Sequence, residues 1–367
     1  MSNKRIYWAI TALGVAAPKV DAAPTAPTAA TFVPGVQSVG ISTTFNLEQV
    51  FELGQLEIYH DVEDVPDVEI TVERVIDSFM CLYQRVMGQA TDGGTDRKAA
   101  GTVIKIPECQ NNRCDVYFEI HPDHKEAIGD TSAPSQCWIW CSGMYCSSAS
   151  FNFSTDGNFT ESITLVGNHK KWYTANTSSM AGAPTITTEA TTGIDSTQNT
   201  APVEVKRRHN FYLAEVPAEI QGGGNTVVNS LSISTDFGRE QINTLGQRLP
   251  YHRYVTFPVE VTCDIEVTVT DAIGQDVDAD PGKNNVGTGS SIKAIVTKGV
   301  DPTDIDTQGS ATDLHTFDLG DNNKLTSISY GGGDSGGANA TYSYSYRNFN
   351  KLEYTFKADE PLHGVRS

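Results

Sequence analysis

The segment SVGISTTFNLEQVFELGQLEIYHDVEDVP, residues 38–66, occurs twice in this chain. Displaced by 192 positions (230 − 38), it aligns without a gap with SLSISTDFGREQINTLGQRLPYHRYVTFP, residues 230–258. Thirteen aligned positions are identical, whereas unrelated sequences of ordinary composition would share about two. The interval is much longer than the roughly 20 to 50 residues of a solenoid repeat. The sequence therefore predicts two copies of one domain.

Two segments poor in large apolar residues divide the chain. Residues 19–31, KVDAAPTAPTAAT, and residues 181–202, AGAPTITTEATTGIDSTQNTAP, consist largely of Ala, Pro and Thr, which is typical of extended arms and linkers. We therefore predict an N-terminal strand and extended arm at residues 1–34, a first β-domain at 35–180, a linker or exposed loop at 181–205 and a second β-domain at 206–367.

Alternating apolar residues between glycine-rich turns indicate a mainly β protein. Within the repeat, we predict a strand at 39–42 and then a short helix that Asn46 caps and Gly54 ends, with Gly246 in the same role in the second copy. Helical spacing of apolar residues predicts a second, amphipathic helix at 77–88. Further strands are expected at 68–72, 102–106, 115–120, 138–144 and 259–265, and a closing β-hairpin in each copy, at 148–166 and 325–346.

The formal net charge of −19 argues against tight binding of nucleic acid, because such binding requires a surface that neutralises phosphates. No apolar run in the sequence reaches the 18 or so residues that a membrane-spanning helix needs. Lys4 and Arg5 precede an apolar run that imitates a signal peptide. Because residues 207–214 repeat this pattern inside the chain, we expect a first strand and not a cleaved leader.

Seven cysteines make an odd count in a large chain, which argues against a complete disulfide framework. Their spacings also lack the C-x2-C pairs that are typical of zinc sites. We expect reduced thiols and no metal.

Two short motifs suggest chemistry that their surroundings do not support. Gly333-Asp334-Ser335-Gly336-Gly337 matches the nucleophile motif of chymotrypsin-like proteases, but no histidine lies in the context that those enzymes require. Residues 276–282 begin like an EF-hand, yet the glycine comes one position late and Gly287 occupies the place of the final glutamate. We therefore predict no catalytic, cofactor-binding or metal-binding residues and no enzyme activity, and a serine hydrolase is the weaker reading.

Residues 35–78 and the segment SFNFSTDGNFTESITLVGN, residues 150–168, resemble tail tube proteins of tailed bacteriophages. The resemblance implies two tandem related domains of β-sandwich or tube type with short helices. It also implies that their hairpins contribute to an inter-subunit β-barrel, and that rings stack into a hollow tube through which DNA passes without tight binding. The family has no catalytic residues to carry over.

Single-domain tube subunits form hexameric rings, so a chain with two domains implies trimeric rings of pseudo-sixfold symmetry, with a true hexamer as the alternative. The resemblance further implies contacts with other tail proteins such as sheath, baseplate or terminator, assembly in the host cytoplasm and a final place in the virion tail. A baseplate hub or tail-completion protein, and a secreted cell-surface or S-layer β-protein, remain alternative readings. Candidate assembly residues are Leu53, Gly54, Tyr59, Pro66, Phe151, Phe153, Phe159, Ile163, Leu245, Gly246, Tyr251, Pro258, Tyr342 and Tyr344.

Overall fold

A computed structural model of the chain describes residues 11–18, 29–89, 100–120, 137–174, 185–187, 204–217, 220, 227–268, 290–298, 313–331 and 339–357. This part of the chain contains twenty-two strands and two short helices, so the predicted mainly β class is confirmed. The strands form several sheets, and none of the sheets among the described residues closes into a barrel.

We refer to the elements before and after residue 204 as the first and second halves of the chain. The first half contains β1 Thr11–Ala16, β2 Ala29–Phe32, β3 Val36–Thr44, β4 Leu47–Phe51, β5 Ile58–Glu63, β6 Asp67–Val75, α1 Leu82–Met87, β7 Val103–Lys105, α2 Ile106–Cys109, β8 Arg113–Ile120, β9 Cys137–Ser154, β10 Thr160–Gly167, β11 His169–Thr174 and β12 Thr185–Thr187. The second half contains β13 Phe211–Glu215, β14 Val227–Asp236, β15 Glu240–Ile242, β16 His252–Tyr254, β17 Glu260–Thr268, β18 Lys293–Thr297, β19 Asp313–Asp318, β20 Lys324–Gly331, β21 Thr341–Phe349 and β22 Glu353–Phe356.

A continuous run of antiparallel strands crosses both halves of the chain. Its order is β3-β6-β10-β9-β14-β17-β21-β20, and the pairing of β9 with β14 joins the first half to the second. One face of the run is apolar, since residues in β6 and β17 alternate between buried and exposed or half-buried positions. Each half therefore contributes four strands to this sheet.

A second set of strands has the same order in each half. In the first half the order is β1-β8-β9-β11, and in the second half it is β13-β18-β19-β22. The sequential positions of these strands also correspond, because β11 directly follows β10 as β22 directly follows β21. The remaining strands β2 and β12 extend the first set, and β7 adds to the second.

Strand registers show how far the sequence repeat extends. Val39 pairs with Val72 in the first half, and Leu231 pairs with Ile265 in the second. The offset is 192 (231 − 39) for the first strand of each pair but 193 (265 − 72) for the second. The connection before β17 is therefore one residue longer than that before β6, and the gap-free alignment ends there.

The closing hairpins predicted in both copies are present, and they share a β-bulge. Ile163 of β10 and Tyr344 of β21 occupy equivalent places opposite Val72 and Ile265. A register shift follows one residue later in both hairpins, between Thr164 and Leu165 in one and between the partners of Ser345 and Tyr346 in the other. Bulges interrupt pairing at defined positions, so the shared bulge is a second correspondence between the halves.

The short helix predicted from Asn46 to Gly54 is wrong, because this segment is a β-hairpin formed by β4 and β5. The Asn46 side chain donates instead to the carbonyl oxygen of Val65 and to Asp67. A helix this short is marginal in water without tertiary packing, and every residue of β4 is exposed. The same correction applies to the second copy, where β15 and β16 form the hairpin.

Other predicted elements are confirmed with changed bounds. The helix expected at 77–88 is α1, which begins only at Leu82 and ends before Gly88. The strand expected at 138–144 and the first strand of the closing hairpin are one 18-residue strand, β9. Gly143 adopts a left-handed φ of 66° within it, a conformation that glycine reaches without strain. The strand can therefore turn from one set of strands into the other.

Helix α1 lies in the core and depends on a buried ionic cluster. No side chain of α1 itself caps its N-terminus; the carboxylate of Glu161 on β10 accepts the backbone N–H groups of Leu82 and Tyr83 at 2.9 and 2.7 Å. Arg74 on β6 lies 3.6 Å from Glu161 and 2.8 Å from Asp77, and all three side chains are fully buried. Strands β6 and β10 thus fix the N-terminus of α1 through the ion pair between Arg74 and Glu161.

We expect Glu161→Gln to lower the free energy of unfolding by about 3 kcal/mol, because it leaves Arg74 without one partner in a buried site. Glu69→Gln is the matched control, since Glu69 lies on the exposed face of β6 and should change stability by less than about 0.5 kcal/mol. Urea unfolding of the two variants measures the difference. Equal stabilities would show that the cluster does not support the fold.

Candidate assembly interface

The contact between β9 and β14, which we call the internal joint, connects the two repeated halves edge to edge. Ile233 pairs with Phe151 and Ser234 with Ser150 in an antiparallel register. Beyond the strand end, the backbone N–H of Phe237 donates to the carbonyl oxygen of Ser147 at 2.8 Å. Phe237 is fully buried there.

The hairpin of β15 and β16 lies against the first half at the internal joint. Arg239 at its base donates to the carbonyl oxygen of Cys146 at 2.7 Å. The Nδ1 atom of His252 lies 3.1 Å from the hydroxyl oxygen of Tyr145. Arg253 forms an ion pair with Asp67 and donates to Asn168. Burial lowers the pKa of Arg239, and the nearby Cys146 and Tyr145 oppose that shift.

The two ends of the eight-strand run are edges without a strand partner among the described residues. These edges are β3, the first strand of the first half, and β20, the last strand of the second half. In the internal joint, the corresponding strands β14 and β9 pair with each other. The chain therefore presents outward the same two kinds of edge that it joins internally.

Phe45, beside the free edge of β3, is exposed where its counterpart in the internal joint is buried. It is one of the thirteen identical positions of the repeat and corresponds to Phe237 at an offset of 192 (237 − 45). Phe237 is 0% exposed at the internal joint, whereas Phe45 is 70% exposed beside the free edge of β3. The pair is not among the candidate assembly residues, although the identity of Phe45 and Phe237 in the repeat was a sequence signal for it.

The two hairpins of the repeat project apolar tips into solvent. Leu53 and Leu245 are both fully exposed, and Tyr59 and Tyr251 are about equally exposed, at 63% and 64%. Gly54 and Gly246 have φ angles of 97° and 85°, which L-residues with side chains rarely adopt. Equivalent predicted residues thus occupy equivalent, exposed places in both halves.

The other predicted assembly residues lie inside the fold or beside the hairpins. The buried ones cannot contact another chain directly, so they can support assembly only by positioning their strands. Phe151, Phe153, Phe159, Ile163 and Tyr344 are buried, Tyr342 and Pro66 are half-buried, and Pro258 is exposed after a cis peptide bond.

A second cluster brings together a thiol, an imidazole and a phenol, Cys81, His315 and Tyr354. Burial lowers the pKa of the His315 imidazole to about 3, so the ring is neutral. Its Nε2 atom donates to the carbonyl oxygen of Asp77 at 2.8 Å, which leaves Nδ1 to accept from the Tyr354 hydroxyl at 2.8 Å. Burial raises the pKa of Cys81 well above its usual value. This closed site holds a protonated thiol and suits packing better than nucleophilic chemistry.

All seven cysteines are free, and six of them are buried. The part of the chain that the structure describes contains no group of three or more His, Cys, Asp or Glu side chains arranged to hold a metal ion. In that same part, no helix is long and apolar enough to cross a membrane. The protease-like motif at 333–337, the acidic loop at 276–282 and the basic residues near the N-terminus lie outside the described residues.

No family model matches this chain, and no curated protein has a significantly similar sequence.

We expect His315→Gln to remove a pH dependence of stability. The unfolded chain binds a proton at His315 near pH 6.5, while the folded chain does so only near pH 3. The contribution of the neutral imidazole is therefore complete above pH 6.5 and is lost by about 1.4 kcal/mol per unit as the pH falls toward 3. Glutamine can make both hydrogen bonds without titrating.

The measurement is urea unfolding of both proteins at pH 7.5, 5.5 and 4.5. Asp77 and Glu161 also have pKa values raised by burial, so the difference between the two proteins isolates His315. We expect the stability advantage of the original protein to shrink by about 2 to 3 kcal/mol over this range. Parallel pH profiles would contradict the neutral, buried imidazole.

Proposed function

We propose that this chain is a structural subunit of a bacteriophage tail tube, built from two tandem related β-domains. The observation that carries the proposal is the internal joint, in which β9 of one repeated half pairs with β14 of the other. Repeating that joint between chains would pair the free edge β20 of one chain with the free edge β3 of the next. The resemblance of residues 35–78 and 150–168 to tail tube proteins supports the same assembly.

The internal joint also predicts the register of the joint between chains. Residues of β3 correspond to β14 at an offset of 192 (231 − 39). Residues of β20 correspond to β9 at an offset of 179 (328 − 149), because Ala149 pairs with Ile163 and Ile328 pairs with the equivalent Tyr344. The pairs Ile233–Phe151 and Ser234–Ser150 thus translate into Ile41–Tyr330 and Ser42–Ser329.

The strand directions are compatible with a closed ring. Neighbouring strands in the run of eight are all antiparallel, so the first and last strands run in opposite directions. Each added chain therefore continues the sheet with the same alternation. Such a contact joins unlike surfaces, so it gives rings if the rotation closes. Three chains supply six copies of the domain, and closure pairs the free edges β3 and β20 of every chain.

The charge of the chain fits a conduit for DNA. A net charge of −19 makes tight binding to phosphates unfavourable. A wall of this kind lets DNA pass without being held. The subunit would act in the virion tail, assemble in the host cytoplasm and contact other tail proteins at the tube ends.

A disulfide trap tests the proposed joint. We expect the double variant Ser42→Cys, Ser329→Cys to form cross-linked dimers and trimers under mild oxidation, with the series ending at a circular trimer. The control Ser42→Cys, Ser327→Cys displaces one thiol by two residues along β20 and should cross-link far less, because paired Cα atoms must lie within about 7 Å. Equal cross-linking of the two variants would contradict the register.

Electron microscopy of the purified protein tests the function. We expect rings with a central hole that stack many layers deep. A single ring that never stacks would favour the baseplate hub or tail-completion reading. Dispersed monomers at high protein concentration would contradict both.

A further inference from the structure

We infer that the hairpin of β4 and β5 docks on a second copy of this chain, at the strands β20 and β21, through paired opposite charges. The inference rests on the proposed edge pairing of β3 with β20. It assigns a function to a hairpin that has no strand partner outside itself among the described residues.

The docking geometry follows from the internal joint. We call residues 46–62 the first hairpin and residues 238–254 the second hairpin; they correspond at an offset of 192 (254 − 62). The second hairpin lies against β9 and the start of β6 in the first half, where His252 meets Tyr145 and Arg253 meets Asp67. If β3 pairs with β20 as β14 pairs with β9, the first hairpin reaches the equivalent place on β20 and the start of β17, beside Arg347 of β21.

The two hairpins carry opposite charge. The first hairpin contains Glu48, Glu52, Glu57 and Asp61 and no Lys or Arg, which gives a formal charge of −4. The second hairpin contains Arg239, Arg248 and Arg253 with Glu240, which gives +2. Asp61 corresponds to Arg253 and Glu260 corresponds to Asp67, so the place of the internal ion pair would hold Asp61 and Glu260, with Arg347, 3.7 Å from Glu260, as the neighbouring cation.

The surface that the second hairpin contacts and its equivalent in the second half, which we call the receiving surfaces, are also opposite to each other in charge. At the internal joint, the second hairpin meets Tyr145 and Asp67, and Val166 pairs with Tyr145. The equivalent positions on the second half are Lys324, Glu260 and Arg347, where Arg347 pairs with Lys324 and lies 3.7 Å from Glu260. The formal charge changes from −1 to +1. Each hairpin is therefore matched to its own receiving surface and mismatched to the other.

Apolar side chains beside and within the first hairpin are exposed in a single chain. Phe45 is 70% exposed although its counterpart is fully buried, and Leu47 is 60% exposed. Tyr330 on the receiving strand is also 60% exposed. Contact between these surfaces would bury an apolar centre within a charged rim, as stable interfaces do. A second copy of this chain is therefore the partner that carries the matching charged and apolar residues.

A charge swap tests the inference. Asp61→Lys alone and Arg347→Glu alone should each raise the protein concentration required for assembly about tenfold, and the double variant should return to within about threefold of the original. Asp264→Lys, an exposed change on the central strand β17, is the charge-matched control and should have little effect. Light scattering during assembly gives these concentrations, and thermal melting confirms that each variant is folded.

Phe45→Ala provides a test that does not depend on charge. Because the side chain is largely exposed in one chain, the variant should unfold like the original protein but require at least tenfold more protein to assemble. Phe237→Ala, its counterpart, should instead unfold at a lower temperature and a lower urea concentration than the original protein, because it leaves a cavity in the core.

The outcomes separate this inference from the proposed function. If the disulfide trap closes in the predicted register but neither the charge swap nor Phe45→Ala alters assembly, the hairpin does not dock there and the tube proposal stands. If the trap does not close in that register, the joint between chains is wrong and the docking position is wrong with it. Rescue in the double variant, with the Asp264 control unaffected, supports the docking.

Discussion

The fold depends on one buried charge, the guanidinium of Arg74 between the carboxylates of Asp77 and Glu161. A buried charge without a partner is strongly destabilising, so β6, β10 and the start of α1 must meet in one arrangement. Arg74 also donates to the carbonyl oxygen of Met80 at 2.7 Å. A helix of six residues thereby gains a fixed position inside a β protein.

That position connects the two halves of the chain. His315 of β19 donates to the carbonyl oxygen of Asp77, and the hydroxyl of Tyr354 on β22 accepts the backbone N–H of Cys81. Tyr83 of α1 packs edge-on against both Phe151 and Tyr354, with centroid distances of 5.8 and 6.2 Å. The halves therefore share one continuous hydrophobic core, although their strand orders are those of two separate copies.

The internal joint shows how a chain with a repeated segment covers a strand edge. Exposed edges invite pairing with other chains, and within this protein one such edge from each half is covered by the other half. In the eight-strand run of the described residues, the edges of β3 and β20 remain, and β3 shares Ile41, Ser42 and Thr43 with the corresponding positions of β14. Phe45 beside the free edge is exposed, whereas its counterpart Phe237 beside the covered edge is buried.

The sequence by itself showed the repeat of residues 38–66 at 230–258, the mainly β class and the closing hairpins, because strand alternation and turn residues act over a few neighbouring positions. It failed at Asn46 to Gly54, where a capping residue and a glycine suit a helix and a hairpin equally well, and pairing between β4 and β5 decided the outcome. Only the tertiary structure placed Glu161 at the end of α1, joined β9 to β14 and set the one-residue shift before β17. These contacts join residues that lie far apart in sequence, so no local pattern encodes them. Only the structure shows that Phe45 is exposed while its counterpart Phe237 is buried.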